Sequence, residues 1–74
     1  MPRLPVVAGS DLVKYLASKG FHPVRQKGSH LFLRSDDGRY TTIPMRNDIG
    51  PGLLLQILAD VGITREQFME EWDR

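Results

Sequence analysis

Six consecutive residues, Arg25-Gln26-Lys27-Gly28-Ser29-His30, hold the densest set of groups in this chain that could do chemistry. Two cations, two polar side chains, a glycine and an imidazole lie together. Histidine is the side chain that gives or takes a proton near neutrality. Lysine and arginine hold phosphate. Such a set suffices to cleave RNA without a metal. A base takes the proton of a ribose 2′-hydroxyl, that oxygen attacks the adjacent phosphorus, and cations offset the added charge. The same six residues also suit a solvated turn between strands that carries a surface histidine.

Other chemistries find less support. His22 and His30 are the two histidines and cysteine is absent, so a metal site would need carboxylates from elsewhere and none is expected. Ser29 precedes His30 directly. Neighbours on a strand point to opposite faces, which makes them a poor nucleophile–base couple. Gly50-Pro51-Gly52 could approach a phosphate at a helix start, but two glycines around a proline equally make a plain turn. His22, beside Pro23, reads as a surface or interface residue.

These residues need elements to position them. Leu12, Val13, Leu16 and Ala17 recur at helical spacing, with Ser10 as the expected N-cap, Asp11 in the first turn and Lys19-Gly20 at the end. That predicts a helix near 10–19. Phe21 to Lys27 reads as a strand at a sheet edge, because Pro23 cannot donate to a ladder. Gly28-Ser29 break it. His30 to Ser35 reads as a stronger strand, with Leu31 and Leu33 on one face and His30, Phe32 and Arg34 on the other. Asp36-Asp37-Gly38 predicts a hairpin turn, returning through Arg39 to Ile43 and stopping at Pro44.

The rest reads as helical. After the loop 47–50, Pro51 suits a first helical turn. Leu54, Ile57, Leu58 and Val61 line one face, and Gly62 ends the helix. Leu53 and Leu55 make it apolar on more than one face, so it is expected to be well buried or to meet a partner. Thr64 with Gln67 has capping-box spacing, and Ile63 with Phe68 has staple spacing. Phe68, Met69 and Trp72 are expected to fold a short last helix onto the core. The order α-β-β-β-α plus one helix predicts an α+β fold: a three-stranded antiparallel sheet with helices on one face.

Seventy-four residues suit a single domain, 1–74, with one small core. A deep enclosed pocket is not expected, so a site should be a groove or open face. The net charge of +1 argues against a strongly basic nucleic-acid module, but it hides a gradient. Residues 1–46 carry eight basic and three acidic residues, net +5, and residues 47–74 carry two and six, net −4. One side therefore suits a polyanion. No apolar run approaches the ~20 residues of a membrane span. Together with the lack of cysteine, this predicts a cytoplasmic protein.

The stretch Gly20-Phe21-His22-Pro23-Val24-Arg25-Gln26-Lys27-Gly28-Ser29-His30 resembles the signature of the HicA (YcfA-like) family of mRNA interferase toxins. Leu4-Pro5-Val6-Val7, Ile43-Pro44, Gly52-Leu53-Leu54, Ile57-Leu58 and Gly62-Ile63-Thr64 follow the same family pattern in order. The resemblance implies a fold like the double-stranded RNA-binding domain. It also implies a toxin of a type II toxin–antitoxin system that cleaves mRNA without a cofactor, and a HicB-type antitoxin partner. His30 maps to the catalytic histidine. Arg25, Lys27, Gly28, Ser29 and Arg46 are the expected RNA contacts. Many members read Pro-x-His after the third strand. Here the chain reads Pro44-Met45-Arg46, and an arginine can contact RNA but cannot act as the acid. Two other readings stay open: an RNA-binding module without catalysis, and a protein-interaction domain built on the leucine-rich helix.

Overall fold

The computed structural model describes residues 4–72. Arg3, Asp73 and Arg74, counted in the charge gradient, lie outside that range. The chain runs α1 (Gly9–Ser18), β1 (Phe21–Lys27), β2 (His30–Ser35), β3 (Tyr40–Pro44), α2 (Pro51–Val61) and α3 (Arg65–Trp72). The strands form one antiparallel sheet in the order β1-β2-β3. This is the expected α+β architecture, α-β-β-β-α with a further short helix. β1 is an edge strand, as Pro23 requires.

The sheet has one covered face. Phe21, Leu33 and Ile43 are buried there with Leu12 and Leu16 of α1 and Leu54, Ile57, Leu58 and Val61 of α2. Thr41 is buried among them, and its hydroxyl donates to Asp60 Oδ2 at 3.0 Å, which satisfies the polar group. Leu4, Val7 and Ile49 close one end of the core, and Val7 and Ile49 exchange backbone hydrogen bonds of 2.9 and 3.0 Å. Leu53 is half-buried at the edge of the Leu54-Ile57-Leu58-Val61 stripe and Leu55 is 43% exposed, so α2 is covered on one face and not on more than one as its leucines predict.

Two local expectations are corrected. Ser10 is not the N-cap of α1. The helix starts one residue earlier, with Ala8 as the cap, and no side chain caps it. A tertiary bond replaces the cap: the Gly9 N–H donates to the Arg46 carbonyl at 2.7 Å. Gly9 is buried so tightly that an added Cβ would collide with the Pro44 carbonyl oxygen. Ala17, placed on the apolar face by its spacing, is exposed. Leu12 and Leu16 alone on this helix carry full apolar burial.

α3 behaves as its motifs predict. The Gln67 N–H donates to Thr64 Oγ1 at 3.0 Å. Phe68 is fully buried, stacked on Trp72 at 4.9 Å and edge-on to Tyr15 at 5.3 Å. The Tyr15 hydroxyl donates to Glu71 Oε1 at 2.8 Å, and Lys19 Nζ lies 2.7 Å from the same oxygen. This triad fastens α3 to α1. Among the described residues, no helix is long and apolar enough to cross a membrane.

Candidate active site on the outer face of the sheet

The turn between β1 and β2 places the candidate residues. Lys27 and His30 are Cα partners, so Gly28 and Ser29 form a two-residue reversal. Gly28 has φ 58°, and among the described residues no non-glycine residue takes a positive φ. Glycine first and an ordinary residue second is the pattern of a type II′ hairpin turn, whose twist matches that of the strands. The turn is also held from the residue after β3, because the Met45 N–H donates to the Ser29 carbonyl at 2.6 Å. His30 is in turn the partner of Pro44. The histidine therefore sits on the central strand, paired on both sides, at the start of the strand and next to a pinned turn.

The register of β1 decides which residues join it. From His22 opposite Arg34 the pairing shifts by one residue between Pro23 and Arg25, leaving Val24 as the extra residue of a bulge. Without the shift, Val24 would face Phe32 and Arg25 would fall on the covered face with Leu31. With it, Arg25 pairs with Phe32 and Lys27 with His30. A one-residue slip reverses the face of every following side chain. The bulge thus gathers His22, Arg25 and Lys27 on the same outer face as His30, Phe32 and Arg34.

Three cross-strand rows result: Lys27-His30-Pro44, Arg25-Phe32-Thr42 and His22-Arg34-Tyr40. Rows on one face of a sheet repeat every second residue, about 7 Å apart. The Arg25 guanidinium lies over the Phe32 ring, 5.7 Å from its centroid, which holds that cation flat on the sheet.

The ion pairs divide the cations into two sets. Lys19 is paired with Glu71, Arg39 with Asp37 at 3.2 Å, and Arg46 with Asp48 at 3.3 Å. Among the described residues, Arg25, Lys27, His30 and Arg34 on this face have no carboxylate partner, and neither does Lys14 on α1. Exposed cations without internal partners, gathered around an exposed histidine, leave their charge for an external anion.

The expected site residues divide accordingly. Lys27, Gly28, Ser29 and His30 come together at the turn, and Arg25 lies one row away. Arg46 follows Pro44 by two residues, but its guanidinium is engaged by Asp48. The Gly50-Pro51-Gly52 turn opens α2 and carries no cation on that helix. Phe32, Arg34 and Tyr40 were not among the expected contacts. Alternation already placed Phe32 and Arg34 on the face of His30, and it was the strand pairing that brought in Tyr40 and His22.

Against models of known families, residues 9–63 match the HicA toxin of bacterial toxin–antitoxin systems. The chain belongs to the HicA toxin family. No curated protein matches it. The matched stretch spans α1, the whole sheet and α2. It stops before α3, whose Phe68 completes the core. As a HicA toxin, the protein is one half of a toxin–antitoxin pair, and membership in the family implies an antitoxin partner.

Proposed function

We propose that this HicA toxin is a metal-independent endoribonuclease that cleaves mRNA at the Lys27–His30 row. The observation that carries the reading is the concentration of carboxylate-free cations, Arg25, Lys27 and Arg34, around His30 on one open face, while Lys19, Arg39 and Arg46 are each paired with a carboxylate. In the reaction, His30 takes the proton of a ribose 2′-hydroxyl. The 2′-oxygen forms a bond to the adjacent phosphorus as the bond to the 5′-oxygen breaks. The leaving oxygen acquires a proton from water or a second acid. The products are a 2′,3′-cyclic phosphate and a 5′-hydroxyl. Lys27 and Arg25 offset the charge that builds on the phosphoryl oxygens. Backbone N–H groups at Gly28 and the Ser29 hydroxyl bind the same phosphate, and Arg46, two residues past β3, assists by exchanging its exposed Asp48 partner for it. His30 lies on a paired central strand, and its position is therefore preorganised.

The same reading assigns a HicB-type antitoxin as the partner that covers the His30 face, and the cytoplasm as the location where mRNA is met. The test is purified protein with RNA in excess chelator, comparing wild type with His30→Ala. Cleavage by the wild type, ending in cyclic phosphate and lost in the variant, supports the assignment. Equal cleavage by both removes His30 from the mechanism.

A further inference from the structure

The sheet's outer face extends well beyond the row that holds His30. Its far row carries an exposed aromatic, Tyr40, at 64% exposure. Arg34 is its cross-strand neighbour and His22 is next on β1. A small hollow opens beside this row, lined by His22, Val24, Arg34, Ser35 and Asp36. His22 Nε2 lies 3.5 Å from Asp36 Oδ1. The hollow thus offers a guanidinium donor, a carboxylate acceptor and an apolar wall. That mixture suits the edge of a base or a ribose better than a bare phosphate, which Asp36 would repel.

We infer that the outer face is a track for single-stranded RNA, with the scissile phosphate at Lys27–His30 and a distal nucleotide held by Tyr40, Arg34 and the His22–Asp36 hollow. This rests on the functional reading above and deepens it. The face has the two components of single-strand recognition: a line of cations for the backbone, and an aromatic ring open to a base. Arg25 and Phe32 fill the middle row, so cations continue from one end of the face to the other. Recognition of a duplex distributes contacts over two minor grooves and the phosphates between them, from separate elements. Here α2 has no lysine or arginine and Lys19 at the end of α1 is tied to Glu71, which among the described residues leaves Lys14 as the one cation of α1 without a carboxylate. The free cations of the sheet lie on one face, where one strand can be followed.

The experiment uses the full chain carrying His30→Ala, so that RNA stays intact, and measures the affinity of labelled RNA at fixed salt. A single-stranded oligonucleotide should bind at least tenfold more tightly than a duplex of the same sequence. Adding Tyr40→Ala should weaken the single strand about tenfold or more, the range found when a stacking ring is removed. Tyr40→Phe should restore binding, which a merely structural role for the hydroxyl would not allow. Arg34→Gln should weaken binding and lessen its salt dependence. With His30 intact, Tyr40→Ala should raise KM for a long RNA and leave a dinucleotide, too short to reach the far row, unaffected. Unchanged thermal melting of Tyr40→Ala shows that folding is not the cause. Equal affinity for duplex and single strand, or no effect of Tyr40→Ala, overturns the track. If wild type and His30→Ala cut RNA equally but the binding results hold, the catalytic assignment fails and the track stands.

Discussion

Lys27 and His30 face each other across the first hairpin, joined by a turn of two residues. An ammonium and an imidazole so placed can meet one phosphate together, the cation on its oxygens and the imidazole on the neighbouring hydroxyl. The arrangement depends on backbone pairing and turn type rather than on a side-chain hydrogen bond. It is therefore as rigid as the sheet itself.

The cation's role can be separated from folding. Lys27→Ala should lower kcat/KM for RNA by about a hundredfold to a thousandfold, the range of losing one charge-stabilising donor. Lys27→Arg should retain most activity. Because the side chain is exposed, thermal melting of both variants should match wild type within about 0.5 kcal/mol.

The turn itself is open to test. An added Cβ at Gly28 would meet no atom within 4 Å, so Gly28→Ala probes backbone conformation alone. A left-handed residue other than glycine costs about 1–2 kcal/mol. Chemical denaturation should show that loss, and RNA cleavage should fall as Lys27 and His30 lose their register.

Gly9→Ala probes a different constraint. Here the obstacle is the Pro44 carbonyl, a backbone group that cannot swing aside. Overpacking of this sort costs about 1–3 kcal/mol. The midpoint of urea denaturation should drop accordingly. Pro44 is the β3 partner of His30, so cleavage should decline as well.

Phe68 tests the helix outside the matched family stretch. Its ring is wholly buried between Tyr15 and Trp72. Phe68→Ala should cost about 3–5 kcal/mol, a large share of what so small a domain holds. Circular dichroism should show a much lower melting temperature. Retention of wild-type stability would mean that α3 adds little to the core.

The Lys19–Glu71–Tyr15 triad gives a pH signature. The Lys19 ammonium, followed by the Tyr15 hydroxyl, holds the Glu71 carboxyl below its ordinary value of 4.5. A depressed carboxyl contributes stability that is full above that ordinary value and is lost as pH falls through the lower folded one. Burial and then the bond to Glu71 push the Tyr15 phenol above its ordinary 10.0. Its contribution is full below that value and is lost at higher pH. Glu71→Gln should therefore melt below wild type at about pH 7, and the gap should narrow at about pH 3. A gap independent of pH would assign the loss to packing instead.

Much of this molecule was legible along the chain. Helical spacing located α1 and α2, turn residues located both hairpins, and Thr64-x-x-Gln67 marked the start of α3. These are local signals, since each depends on residues within one or two turns of one another. The N-cap of α1 was misplaced for a matching reason. Ser10 has the right chemistry, but the Gly9 N–H is satisfied by the Arg46 carbonyl, thirty-seven positions away in the sequence. Nothing local to the helix could report that bond.

What the sequence by itself determined was the set of groups near His30, their order on the strands and the turn that reverses between Lys27 and His30. Only the tertiary structure decided which of them share a face. Simple alternation on β1 puts Arg25 and Lys27 opposite to His22, and the bulge at Val24 brings all three together. Its consequence depends on which β2 residue each β1 residue meets, and pairing is a relation between strands. The same holds for charge. The basic half was visible from composition, yet which cations remain without carboxylates could be known only once Asp37, Asp48 and Glu71 had taken theirs.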